Sequence, residues 1–251
     1  MKIKILFWNI WGGRHIDEVV DFLRSADADI VALQEVIREG DGNTALTIAR
    51  RLKGYEISPI SPAAALAMPL SSRWTGPTTE KEETYIFGNA VLTKHKIISS
   101  QAHEMSPGAS RVALAADVLV NGSLLHIWSI HLKHLHVNDN NTPETIALQN
   151  RQADKLMNLL PKEKTILAGD FNTVPSGYAV KKAGEALRDT EQGSSTPTWS
   201  VYPEGCGICV PKGVAYKFDY IFTSNDLKSS GFEVGVSKGS DHLPVSTLIE
   251  I

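Results

Sequence analysis

Thr165-Ile166-Leu167-Ala168-Gly169-Asp170-Phe171-Asn172 runs apolar and then delivers a carboxylate and an amide. A short apolar run with turn formers behind it reads as a strand buried on both faces, the state of strands covered by helices. The same pattern recurs along the chain. Asn9 stands in Phe7-Trp8-Asn9-Ile10, Glu35 in Leu33-Gln34-Glu35-Val36, and His131 in Ser129-Ile130-His131-Leu132. Asp219 stands in Phe218-Asp219-Tyr220-Ile221, and Asp241-His242 precede Leu243-Pro244-Val245. Together these strand-end signals predict polar groups gathered along one sheet rim.

Working outward, apolar runs predict strands at 3–9, 29–35, 84–93, 97–103, 110–120, 123–131, 164–169, 216–223, 230–236 and 244–250. Helical spacing predicts helices at 15–26, 44–53, 144–160 and 176–187. In 144–160 the apolar face is Ile146, Ala147, Ala153, Leu156, Met157 and Leu160, with Pro143 where a first helical turn tolerates it. Asn121-Gly122 between two apolar runs is a hairpin signal. The polar stretches 61–83, 134–143 and 190–215 read as surface loops. Since sheet-forming runs continue on both sides of each, the expectation is one α/β domain over 1–251, with mixed sheets flanked by helices.

The chain has 251 residues, 42% hydrophobic and 21% charged, ordinary values for a globular enzyme. Its formal net charge of -3 lacks the basic footprint of a dedicated nucleic-acid binder. Lys94-His95-Lys96, Lys181-Lys182 and Lys212 read as solvated surface. No stretch approaches the roughly 20 apolar residues of a membrane span. The N-terminal run is too short for a signal sequence, so the expected location is the cytoplasm, with secretion the alternative if the chain is a trimmed mature form. The two cysteines, Cys206 and Cys209, lack the further ligands that a zinc site needs.

The carboxylates carry the chemistry. If Glu35, Asp170 and Asp241 converge, each pair near 4 Å repels by about 4 kcal/mol at an effective dielectric of 20. Such a cluster needs a cation or protons. Oxygen and amide donors without thiolate favour Mg²⁺, with Mn²⁺ or Ca²⁺ as substitutes, and Asn9 joins Glu35 and Asp241 as a candidate ligand. At a strand end, Asp170 and Asn172 can face one water, Asp170 orienting or deprotonating it. Gly-Asp-x-Asn by itself is equally an ordinary turn. His242 is a candidate for transferring a proton or donating a hydrogen bond to a phosphoryl oxygen, with Asp219 as its orienting carboxylate. His131 ends a clear strand, whereas His126, five residues earlier, should face the opposite way. His134 and His136 read as structural.

These residues, in this order, resemble the endonuclease/exonuclease/phosphatase superfamily. Leu33-Gln34-Glu35, Gly169-Asp170-Phe171-Asn172 and Ser240-Asp241-His242 carry most of the likeness, supported by Gly88-Asn89-Ala90-Val91-Leu92 and Phe218-Asp219-Tyr220-Ile221. The resemblance implies a four-layered sandwich of two packed mixed sheets with helices outside, and a Mg²⁺-dependent phosphoesterase. It implies Asn9, Glu35 and Asp241 at the metal, and Asp170 and Asn172 beside the nucleophilic water. It further implies His242 oriented by Asp219, His131 at the scissile phosphate, and Arg111 and Asn89 as phosphate neighbours. The chain lacks the basic loops of specialised apurinic endonucleases, so a nucleic-acid substrate is compatible but not indicated. Trp74 and Trp199, in loops expected to reach over the site, are candidate stacking or lipid-facing surfaces. The competing reading is a catalytically silent binding or scaffolding domain on the same fold.

Overall fold

The computed structural model describes residues 1–39, 42–57, 61–62, 87–105, 111–135, 137, 141–203 and 213–251. Cys206, Cys209, Trp74 and His136 lie outside these residues.

One sheet contains β1 (Lys2–Asn9), β2 (Ile30–Glu39), β3 (Gly42–Asn43), β4 (Glu56–Ile57), β5 (Ser61–Pro62), β6 (Phe87–Thr93), β13 (Lys228–Val234) and β14 (Val245–Glu250). Its main order is β13-β14-β1-β2-β6-β4; β3 pairs with β2 and β5 with β6. The other sheet contains β7 (Lys96–Glu104), β8 (Val112–Val120), β9 (Ser123–His131), β10 (Thr165–Asp170), β11 (Arg188–Asp189) and β12 (Asp219–Thr223), in the order β11-β12-β10-β9-β8-β7. Each sheet has one parallel neighbour pair in its centre, β1 with β2 and β9 with β10, among antiparallel pairs. Among the described residues the α-helices are α1 (Ile16–Ala26), α2 (Thr44–Leu52), α3 (Pro143–Leu159) and α4 (Tyr178–Ala186).

Strand alternation builds the layers. Ile3, Ile5 and Phe7 of β1 meet Leu114, Ile127, Ile166 and Ile221 of the opposite sheet in an inter-sheet core. Leu6 and Trp8 point the other way, onto Val19, Val20 and Leu23 of α1 and Ile48 of α2. On the far side Trp128, Leu167 and Phe222 pack on Ala153 and Leu156 of α3 and Ala183 of α4. The result is helices, sheet, sheet, helices: the four-layered α/β sandwich that the resemblance implied.

Local signals explain the element ends. Asn121 and Gly122 take φ of 47° and 84° in the β8–β9 turn, the left-handed pair that a two-residue hairpin requires. Asn43 caps α2 by accepting the Leu46 amide at 2.7 Å. Thr142 caps α3 ahead of Pro143. The buried stripe of α3 differs from the expected apolar face. Ile146 is exposed, while Gln149 and Gln152 are fully buried. Gln149 Nε2 donates to the carbonyls of Lys133 (2.6 Å) and Phe171 (3.1 Å), and Gln152 Oε1 accepts the Lys133 amide at 2.8 Å. Polar partners at the loop ends after β9 and β10 select which helix face turns inward.

Buried amides also join the sheets. Asn89 of β6 donates to the carbonyls of Val112 (3.0 Å) and Ser129 (2.9 Å), and Gln34 of β2 donates to Ser129 Oγ at 2.8 Å. Removing the Asn89 amide strands two buried carbonyls at roughly 1–3 kcal/mol each. Asn89→Ala is therefore expected to lower the urea midpoint with an unchanged m-value, the same shift appearing by fluorescence and by circular dichroism.

Candidate active site

Asp170 closes β10, and its register sets it beside both His131 of β9 and Asp219 of β12. Ile166 and Ala168 face the inter-sheet core, so two residues on Asp170 faces it too. The same parity turns His131 inward after Ile127 and Ser129, Asp219 inward with Ile221, and Asn9 inward after Phe7. Polar groups thus meet at one mouth of the sandwich, supplied by the ends of two facing sheets rather than by the single rim expected from the sequence. His126, of opposite parity, leaves this face and bonds Asp117 at 2.6 Å.

Glu35 breaks the parity. Leu33 faces the helix layer, and strict alternation would send Glu35 there as well. A bulge between Leu33 and Val36, with Glu35 at φ 55°, brings its Oε1 to 3.9 Å from His131 Nε2. Asn172 (φ 52°) and Trp11 (φ 50°) are also left-handed, each near the end of a site-bearing strand. Such residues cost roughly 1–3 kcal/mol each and persist where their surroundings over-determine them.

The Asp170 carboxylate is the hub. Its Oδ2 accepts from Asn9 Nδ2 at 3.0 Å and lies 3.5 Å from His131 Nε2 and 3.6 Å from His242 Nε2. Its Oδ1 accepts the Asn172 amide at 2.8 Å. His242 Nδ1 bonds Asp219 Oδ2 at 2.8 Å, giving an acid–imidazole–acid line. Asn172 turns its side chain aside: Oδ1 meets His134 Nδ1 at 2.6 Å and Nδ2 donates to the Leu132 carbonyl at 3.1 Å. Asn89 is placed in the inter-sheet joint described above, and Arg111 half-buried at the start of β8. Asp241, next to His242 in sequence, accepts the Trp199 indole N–H at 3.1 Å.

Burial pushes the Asp170 carboxyl up to about 7, and the Asp219 charge adds to that against the opposing pull of His242. Burial alone would disfavour the His242 imidazolium. Asp219, Asp170 and Asp241 outweigh it and hold its pKa well above the ordinary value. Asp170, Asp219 and His242 offer ligand atoms within 4.8 Å of one another, a group able to hold a metal. Because Asp219 and His242 already bond each other, we read those two as a proton-handling pair. The carboxylates of Glu35 and Asp241 and the Asn9 amide beside them offer oxygen donors without thiolate, the donor set that suits a divalent cation. The residues present therefore fit one.

The segment 198–202, expected as surface loop, runs through the site wall. Thr198 and Ser200 are fully buried, and Trp199 is only 5% exposed, which removes it as a lipid-facing surface. Thr198 Oγ1 accepts the amides of Phe218 and Asp219, and its carbonyl accepts the Leu243 amide at 2.7 Å. Trp199 stacks on Phe218 with ring centres 5.1 Å apart, and His134 meets both rings edge-on. Lys217, also buried, pairs with Glu191 and lies 4.7 Å over the Tyr220 ring. Although burial works against it, that ammonium, with Ser194 and Thr196, holds the Glu191 carboxyl down at about 2. Sequence reading missed Thr198 and Gln149, took His134 as structural, and named Trp199 as a stacking candidate without placing it beside Asp241. Only Gln149 left a usable signal, a polar residue on the helix face that packs inward.

A family model described as the Endonuclease/Exonuclease/phosphatase family matches residues 6–242. Among solved structures, an endonuclease/exonuclease/phosphatase from Beutenbergia cavernae aligns at TM-score 0.78 and 18% identity, covering 100% of this chain and 72% of that one. The human Nocturnin catalytic domain with bound sulfate aligns at TM-score 0.69 and 18% identity, over 99% and 94%. A Bacteroides thetaiotaomicron mannosyl-6-phosphatase aligns at 0.66 and 13% identity, over 99% and 100%. At these identities the likeness is one of fold. No curated protein sequence matches the chain.

The electrostatics have a direct test in metal-free protein. A pKa raised by counter-charges means that His242 keeps its proton as pH rises past the ordinary histidine value. Asp219→Asn removes the first of those charges and leaves burial in place, so the His242 pKa should fall. Histidine ¹H–¹⁵N spectra across pH 5–9 measure both.

Proposed function

The chain belongs to the endonuclease/exonuclease/phosphatase family, and on that premise we propose that it is a Mg²⁺-dependent phosphoesterase attacking a phosphodiester or phosphomonoester with water. The observation carrying this reading is the Asp170 carboxylate, held within 3.6 Å of both His131 and His242 and bonded to Asn9. A silent binding domain has no use for a buried acid–imidazole–acid line whose maintenance costs stability.

In this reading Asn9, Glu35 and Asp241 hold the cation, which supplies charge neutralisation and Lewis-acid polarisation of the phosphoryl oxygen. Asp170 orients the attacking water and takes its proton. Its raised pKa suits a base working near neutrality. His242, kept protonated by Asp219, donates to a phosphoryl oxygen as charge develops there. His131 Nε2, between Glu35 and Asp170, donates to the same phosphate. Asn172 acts through its backbone amide, which fixes the Asp170 rotamer. Asn89 contributes by tying the two sheets together at the mouth, and Arg111 is assigned to the phosphate.

Hydrolysis should stop in EDTA and return with Mg²⁺ or Mn²⁺, assayed on a panel of phosphodiesters and phosphomonoesters. Full turnover in chelator, with no metal found by elemental analysis, would sink the proposal. On the best ester, His242→Ala and Asp170→Asn should each lower kcat by about 10²–10⁴-fold, as expected for loss of a general acid or base. Asp219→Asn should be milder than His242→Ala, and the double change should cost little more than His242→Ala alone. His126→Ala should leave kcat within a few-fold.

A nucleic-acid substrate, if used, should bind weakly and without sequence preference, since the net charge of -3 offers little phosphate neutralisation. Fluorescence anisotropy of a labelled duplex at physiological salt tests this; nanomolar affinity would contradict it.

A further inference from the structure

We propose that Trp199 is a positioning residue for the Asp241 carboxylate, acting through its indole N–H to set the oxygen that Asp241 presents to a divalent cation. The inference rests on the reading of Asp241 as a cation ligand. It adds a residue, from a segment that carries no acid or imidazole of the site, that organises that ligand.

The geometry assigns the two Asp241 oxygens different work. Oδ2 accepts the Trp199 Nε1–H at 3.1 Å. Oδ1 lies 3.2 Å from Ser240 Oγ, but that hydroxyl has one hydrogen, and the Asn9 carbonyl at 2.6 Å takes it. Oδ1 is therefore the oxygen left for a cation. Asn9, whose carbonyl receives that hydroxyl, also bonds Asp170 through its side chain.

The indole itself has little freedom. Its ring stacks on Phe218, next in sequence to Asp219, and lies 6.3 Å from the His242 ring. Its backbone bridges to Tyr216 on one side and His242 on the other. Two residues on, the Val201 amide donates to the Asp241 carbonyl at 2.8 Å, so this segment grips Asp241 by main chain and side chain together. Tyr202 then stacks on Trp11 (5.3 Å) and His15 (5.2 Å), and its hydroxyl bonds the Lys238 carbonyl at 2.6 Å. The strap is thus fixed at both ends, and the N–H donor between them is aimed rather than mobile. A partner that orients a metal ligand in this way is typically worth 10–100-fold in metal affinity.

The test is calorimetric titration of metal-free protein with Mn²⁺, using wild type, Trp199→Phe and Asp241→Asn, with melting temperatures for each. Phenylalanine keeps a ring against Phe218 and deletes the donor. Trp199→Phe should weaken Mn²⁺ binding about 10–100-fold, with a melting temperature near wild type; a purely packing role would leave the affinity unchanged. Wild-type affinity in Trp199→Phe, with binding lost in Asp241→Asn, overturns the inference and leaves the ligand reading intact. Wild-type affinity in Asp241→Asn overturns the ligand reading and this inference with it. Should Trp199→Phe fail to fold, the assigned Trp199 indole resonance of the wild-type protein gives the answer. It should shift on Mg²⁺ addition with the midpoint of a matched Mg²⁺ calorimetric titration, and a resonance that does not move overturns the proposal.

Discussion

A carboxylate buried at a strand end is stable only if its charge is answered, and the Asp170 carboxylate imposes that requirement on the polar mouth of this sandwich. It accepts hydrogen bonds from Asn9 and from the Asn172 amide, and two imidazoles stand within 3.6 Å. These partners come from β1, β9, the turn after β10 and the segment before β14. Each must therefore arrive in the correct register. The two sheets cannot slide relative to each other without stranding this charge, a loss larger than that of any single apolar contact in the core.

The neighbouring polar joints serve the same end. Asn89 and Gln34 bond Ser129, two residues before His131, across the gap between the sheets. Gln149 reaches from α3 to the carbonyls of Lys133 and Phe171, on either flank of the site. These side chains are buried and donate through their amide nitrogens, so they add geometric definition that apolar packing alone does not give. The left-handed residues Trp11, Glu35 and Asn172 are the strained counterpart of that definition. Electrostatic work at a site depends on groups held in place before the reaction begins, and rigid joints beside strained ends meet that condition.

Much of this was legible in the sequence because burial on both faces writes a plain signal. Continuous apolar runs marked the buried longer strands, the more exposed β7 and β13 were read from weaker strand-like runs, and helical spacing marked α1 to α4 to within a few residues. Strand parity was legible as well: His126 and His131, an odd number of residues apart, do face opposite ways. The short strands β3, β4, β5 and β11 gave no such signal, since two residues carry no period.

What the sequence determined by itself was the set of strand-end polar groups and the layered α/β class, because both follow from local periodicity and residue chemistry. What only the tertiary structure decided was how those groups face one another. Alternation predicts the wrong face for Glu35, and only a bulge set by pairing with β6 turns it toward His131. Thr198 and Trp199 look like polar-loop residues until residues 216–219 and 241–243 close around them. Their roles depend on partners about 20 and 40 positions away, beyond the reach of any local pattern, so they exist only once the two sheets have packed.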